Sequence, residues 1–299
     1  MQQAGLDLDP LFGLKQTYPD YSIFVQYTNY MNAKKVYDAN PTETNRIKME
    51  THYNAWRNGI NAFLPTMDEA YNVASAFLGH TNLYFDGWDE ASWSMLQFQQ
   101  EMWQYVLDKG AKVFATGHEN HFNLEVKENF LNSVGEPTRE KAAAWHAFGN
   151  DKMITNYAYP HTGPENPDFI RQRHGMWVYK ANYDATYNYT FYEGPPNIWN
   201  DNSVGVFRNF NLVYPTKTTL IDTIAWEGYR EGIDDIRYAT KLKQVAADAM
   251  ASGQEERVTA ANNALSWLEA VDERSVNQDL IRLEMIRYIL LMLDLENRQ

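Results

Sequence analysis

The chain has 299 residues, 44% of them hydrophobic and 22% charged, with 26 Lys and Arg against 39 Asp and Glu and a formal net charge of −13. That length suits one large α/β domain or two small ones, and the acidic balance, with no basic stripe, disfavours a phosphate-backbone partner, so no nucleic acid is expected. The chain has no cysteine, which removes disulfides and thiolate metal sites, and no apolar run approaches the roughly 18 residues of a membrane span.

In chain order, Tyr21–Tyr27 reads as a strand, Thr42–Asn58 as a helix, Gly59–Leu64 as a second strand and Met67–Leu78 as a helix. Leu83–Phe85 reads as a strand and Ala91–Lys109 as a helix, with Asp89 or Ser92 as its cap and Gly110 as its stop. Lys112–Thr116 and Met153–Tyr159 follow as strands, the second ended by Pro160. Gly175–Lys180 and Ala185–Tyr192 read as two more, and Phe210–Tyr214, ended by Pro215, as the last. Beyond Thr218 the pattern is helical, over Thr219–Lys243, 254–270 and 276–296; in the final helix Leu280, Leu283, Ile286, Ile289, Leu290 and Leu293 recur at helical spacing.

Strands separated by helices imply parallel pairing through right-handed crossovers. Roughly eight such units predict an α/β fold of (β/α)8 TIM-barrel type over residues 1–240, irregular at its N-terminal unit. Residues 241–299 are then a helical C-terminal extension packed on the barrel. An open doubly wound sheet is the alternative. No G-x-G-x-x-G follows a strand and no Walker A motif is present, so no nucleotide is expected, nor any other cofactor.

The sharpest local feature is Leu83-Tyr84-Phe85-Asp86-Gly87-Trp88-Asp89-Glu90, an apolar run that stops at three carboxylates. Barrel enzymes mount catalytic groups at strand ends, and paired carboxyls are the usual tools for cleaving a glycosidic bond. Against this stands the ordinary role of acidic pairs at helix N-termini, where they complement the helix dipole. His118 and His121 follow the next strand as His-Glu-Asn-His, which is not the H-E-x-x-H of zinc peptidases. With no third ligand in view, His118 is better placed to bond substrate than metal, and no metal is expected. No G-x-S-x-G elbow supports a serine nucleophile.

Glycoside cleavage needs one carboxylic acid to protonate the leaving oxygen and a second group at the anomeric carbon. If the sugar carries a 2-acetamido group, its own carbonyl oxygen can attack. Glu90 would then be the acid/base and Asp89 would orient the acetamido N–H. A close second carboxylate also raises the pKa of a proton donor. Asp86 on the same turn is a hydroxyl-binding or structural candidate. The chain has 20 Tyr and 9 Trp, and rings of this kind pack on sugar faces as well as in half-buried strands. Tyr157, Tyr159, Trp177, Tyr179, Asn182, Tyr192 and Trp199, with His118, are the substrate-binding candidates at the other strand ends. Trp199 lies in a loop rich in Gly and Pro beyond Glu193.

Farther on, Leu212-Val213-Tyr214-Pro215 is followed by a helix carrying Glu227, Arg230, Glu231, Gly232, Asp234, Asp235 and Tyr238. This spacing, together with the strand-end Asp89-Glu90, resembles the catalytic domain of family-123 glycoside hydrolases, also described as domain of unknown function 4091. Ala91 stands where that family usually has Pro after Asp-Glu, and its frequent N-terminal β-sandwich has no counterpart here. The resemblance implies a (β/α)8 barrel and retaining, substrate-assisted hydrolysis of a β-N-acetylgalactosaminide, with Glu90 as acid/base and Asp89 assisting the acetamido group. The α-helical acidic motif is expected to be structural.

The expectation is therefore a glycoside hydrolase with an oligo- or polysaccharide substrate and neither a nucleic-acid nor a membrane partner. The alternatives are a glycosidase pairing Glu90 with Glu193 or Asp201, or a non-catalytic sugar-binding barrel. Met1–Leu6 lacks the basic-then-apolar pattern of a signal peptide. Export is nevertheless the expected destination, with the cytoplasm as the alternative. Oligomeric state is left open.

Overall fold

The computed structural model describes residues 9–157, 166–192, 211–275 and 277–297. They form a mixed α/β fold whose parallel sheet has the strand order β1-β2-β3-β4-β5. The strands are β1 (Tyr84–Asp86), β2 (Lys112–Gly117), β3 (Phe130–Val134), β4 (Met153–Tyr157) and β5 (Ala185–Thr186). Among the described residues five strands, not eight, make this sheet. Two compact units are present. The first takes the chain up to Ser133 together with Trp145–Met153, and the second takes Val134–Ala144 and the chain from Ile154 onward.

The first unit begins with two long helices, α1 (Tyr21–Ala39) and α2 (Glu43–Leu78). Two of the expected strands lie inside them, and both expectations are corrected. Tyr21–Tyr27 has strand-like composition, but Asp20 caps it by accepting a hydrogen bond from the Ser22 amide at 2.8 Å. Its inward rings, Phe24 and Tyr27, are three residues apart, a helical spacing, and both meet Phe98. Gly59–Leu64 lies within α2, where Gly59 marks a helix crossing. A Cβ there would sit 2.4 Å from Ile23 Cδ1 of α1. The following helix, α3 (Trp93–Asp108), and strands β1 and β2 match their expected places within two residues. The core of this unit is built on Phe85, Leu96, Met102, Trp103 and Val113, each at most 1% exposed.

The second unit is mainly helical. After α4 (Arg139–His146) and β4 come α5 (Pro167–Gln172), a π-type turn over Arg173–Trp177 and the short α6 (Val178–Lys180). The strand expected at Gly175–Lys180 is thus not found: the chain kinks at Gly175 and continues as helix. A hairpin of β6 (Val213–Pro215) and β7 (Leu220–Asp222) then leads into α7 (Ile224–Ala251), α8 (Glu255–Ala270) and α9 (Gln278–Asn297). Helix α7 runs unbroken through residues 240 and 241. Its motif explains its own packing. A Cβ at Gly228 would lie 2.3 Å from the Pro167 carbonyl oxygen, and one at Gly232 would lie 2.7 Å from that of Arg171. Both glycines therefore let α5 press backbone-close onto α7. Asp235, 1% exposed, accepts from Arg171 Nε and Arg282 Nε, each at 2.6 Å, which ties α5, α7 and α9 together.

Candidate active site

The three carboxyls after β1 occupy a turn strapped to β2. The Gly87 amide donates to the Phe114 carbonyl at 2.7 Å and the Glu90 amide to the Thr116 carbonyl at 3.0 Å. Gly87 is required by this approach, since a Cβ there would stand 2.8 Å from the Ala115 methyl. Buried Gln99 of α3 holds the other side. Its Oε1 accepts from the Trp88 amide at 2.7 Å and from Thr17 Oγ1 at 3.4 Å. Thr17 in turn donates through its amide to the Asp86 carbonyl at 2.8 Å and accepts from Trp103 Nε1 at 2.9 Å. The sequence thus places an amide-bearing helix residue and a threonine from before α1 behind the turn, and together they fix its path.

On this turn Glu90 takes a φ of +45°, the left-handed region that non-glycine residues seldom adopt. Such a conformation persists only where its surroundings impose it. Asp86 is half-buried, and burial pushes its pKa up to about 6. Asp89 is raised by burial first and by the Glu90 charge second, while a hydrogen bond from Thr116 opposes the shift. No cation contributes to either group. The Glu90 charge thus acts on its neighbour Asp89.

Rings border the carboxyls. Tyr18 stacks on Trp88 with centroids 4.5 Å apart and planes 11° apart, and Tyr21 meets Trp88 edge-on at 5.9 Å. Burial, then Asp86 and Asp89, raise the Tyr18 phenol, so its hydroxyl lies in the field of both carboxylates. Tyr18 was not legible as a site residue. It lies far from Asp86 in sequence and carries no motif. Thr116 and Gln99 escaped notice for the same reason.

The remaining candidates have varied surroundings. His118 is exposed at the end of β2, ahead of a 3-10 turn over Glu119–Asn123. His121, three residues on, is fully buried, with Nδ1 2.6 Å from Glu128 Oε1. The two histidines therefore face different environments. Among the described residues no group of three or more His, Asp and Glu side chains gathers as a metal site would. In the second unit Tyr157 is buried on β4. Trp177 is buried, with the Arg274 guanidinium 4.0 Å and the Arg173 guanidinium 4.7 Å from its ring centroid, so the ring already has cation–π partners. Tyr179 and Asn182 share a separate cavity, and Tyr192 is exposed. Tyr159, Glu193, Trp199 and Asp201 lie outside the described residues.

No protein-family model matches the chain, and no curated protein matches it. A fold of this class hosts many activities, so function has to be argued from the site.

Proposed function

We propose that the protein is a glycoside hydrolase acting on a 2-acetamido sugar, with Glu90 as acid/base and Asp89 orienting the acetamido group. The observation that carries this reading is the turn at the end of β1, where Asp86 and Asp89 both have raised proton affinity beside Glu90, bordered by the Tyr18–Trp88 stack. Sugar hydrolysis needs carboxyls that exchange protons near neutral pH and an apolar ring to receive a sugar face. Asp89, with its pKa raised and a hydroxyl donor on it, is suited to polarise an amide N–H. The sequential parallel order β1-β2-β3-β4-β5 is also the neighbour order of a (β/α)8 barrel, whose catalytic groups stand at the carboxyl ends of strands. We read the sheet as part of such a barrel.

A second reading is favoured by Asp86. A carboxyl that keeps its proton to about pH 6 is itself a competent acid, with Glu90 then the second carboxyl of the pair.

The purified protein should be assayed on aryl β-N-acetylgalactosaminide, aryl β-N-acetylglucosaminide and the aryl glycosides that lack the acetamido group. Turnover is expected on the first two, with kcat reduced about 100-fold or more in Glu90→Gln. Turnover confined to sugars without the acetamido group would sink the substrate-assisted mechanism. A full-activity Glu90→Gln beside an inactive Asp86→Asn would transfer the acid to Asp86. No turnover on any glycoside would remove the hydrolase.

A further inference from the structure

Tyr179 and Asn182, two residues the sequence marks for sugar binding, line a cavity of about 480 Å3 in the second unit. Three cations reach the same cavity: Arg139 from α4, Lys180 from the end of α6 and Lys243 from α7. Two of them are engaged. Arg139 grips the Glu269 carboxylate of α8 with two guanidinium nitrogens, the longer contact being 2.9 Å. Lys180 donates to the Glu269 carbonyl at 3.1 Å and pairs with Glu273 at 3.2 Å. Lys243 has no carboxylate at salt-bridge distance among the described residues. Its ammonium stands 4.7 Å from the centroid of the Tyr179 ring, a cation–π contact.

Lys243 is therefore the lining cation with no carboxylate at salt-bridge distance among the described residues, in a chain whose net charge is −13. Glu269 reports the local field. The Arg139 hydrogen bond first, and then the charges of Arg139, Lys180 and Lys243, hold its carboxyl below the usual range. Leu265 and Leu268 supply an apolar wall. Asn182, exposed and with φ at +60°, offers an amide that both donates and accepts. The volume falls within the range of small-molecule pockets, which combine apolar walls with a few placed polar groups.

We propose that this cavity binds a small organic anion of sugar-ring size, one carboxylate or sulfate carried on a body with an apolar face. The anionic group pairs with Lys243, the apolar face lies against Leu268, and hydroxyls on the body meet Asn182. The site is separate from the β1 carboxyls and stands whether or not those cleave glycosides.

The test is calorimetric titration of the full chain with sodium glucuronate, with glucose and inorganic sulfate as comparators. Glucuronate is expected to bind saturably and more weakly as sodium chloride is added. Its affinity should fall at least about tenfold in Lys243→Gln, the loss of one charge-assisted contact. Asn182→Gly, which suits the backbone at that position, should weaken binding by a smaller factor. Glucose should not bind, and sulfate should bind more weakly than glucuronate. Absence of saturable glucuronate binding would overturn the proposal, as would unchanged affinity in Lys243→Gln. Sulfate binding as tightly as glucuronate would remove the organic body from it. Loss of binding in Asp89→Asn would place the ligand at the β1 turn instead.

Discussion

At the end of β1 three carboxyls stand within Asp86–Glu90, and on α7 four stand within Glu227–Asp235. On paper both are acidic clusters beside aromatic residues. In the folded chain Asp235 is 1% exposed and lies between two guanidinium groups, while Arg230 stays at the surface with Glu227, Glu231 and Asp234. The α7 cluster is thus matched by arginines and holds helices in place. The β1 cluster has backbone straps and a glutamine behind it but no cation acting on Asp86 or Asp89. Carboxyls gripped by guanidinium groups are held in place by charge-assisted hydrogen bonds. A half-buried carboxyl with no cation acting on it, as Asp86 is, gains the proton affinity that acid–base chemistry requires. Acidic side chains alone do not separate the two cases. The cations that meet them from elsewhere in the chain do.

Removing the match on α7 gives the largest expected effect. Asp235→Asn leaves Arg171, whose side chain is 8% exposed, with only its outer partner Asp279. Breaking one side of a buried ion pair costs about 3–5 kcal/mol, measurable by urea denaturation. A loss below about 1 kcal/mol would mean that the guanidinium groups re-pair, and the contrast with β1 would weaken. The β1 turn depends instead on neutral contacts. Gln99→Leu strips the acceptor from the Trp88 amide and should cost about 1–3 kcal/mol. If stability does not change, the Phe114 and Thr116 carbonyls alone hold the turn.

This contrast also shows what the sequence could reveal. The β1–α3 corner was legible because an apolar run, a polar stop and a helix with Gly110 at its end fall in one short stretch. The structural role of the α7 motif was legible too, and the tie runs through Asp235 and Glu231 to Arg282 of α9. Tyr21–Tyr27 and Gly59–Leu64 misled because residue composition over six or seven positions cannot show what a segment packs against. Ile23 fills the notch at Gly59, and both apparent strands become the crossing of α1 and α2. Tyr18 and Thr116 join the carboxyls only through tertiary structure.

The smallest predicted effect has the opposite sign and tests the unmatched charge directly. In the folded chain Asp86 keeps its proton to about pH 6, against an ordinary value of 3.8. Below the lower value both folded and unfolded chains are protonated, and Asp86 costs nothing. As pH rises from there to about 6, the unfolded chain ionises first, so stability falls through that window and then levels off. Asp86→Asn removes the ionisation. Partial access to solvent screens the charge, so the gain at pH 7 should be about 1–2 kcal/mol rather than the full value of the shift. The difference between variant and parent should shrink to near zero by about pH 3. Thermal melts of both proteins from about pH 3 to 8 would measure it. A variant that tracks its parent at every pH would show that the turn already compensates the Asp86 charge, and the distinction between β1 and α7 would then rest on Asp89 alone.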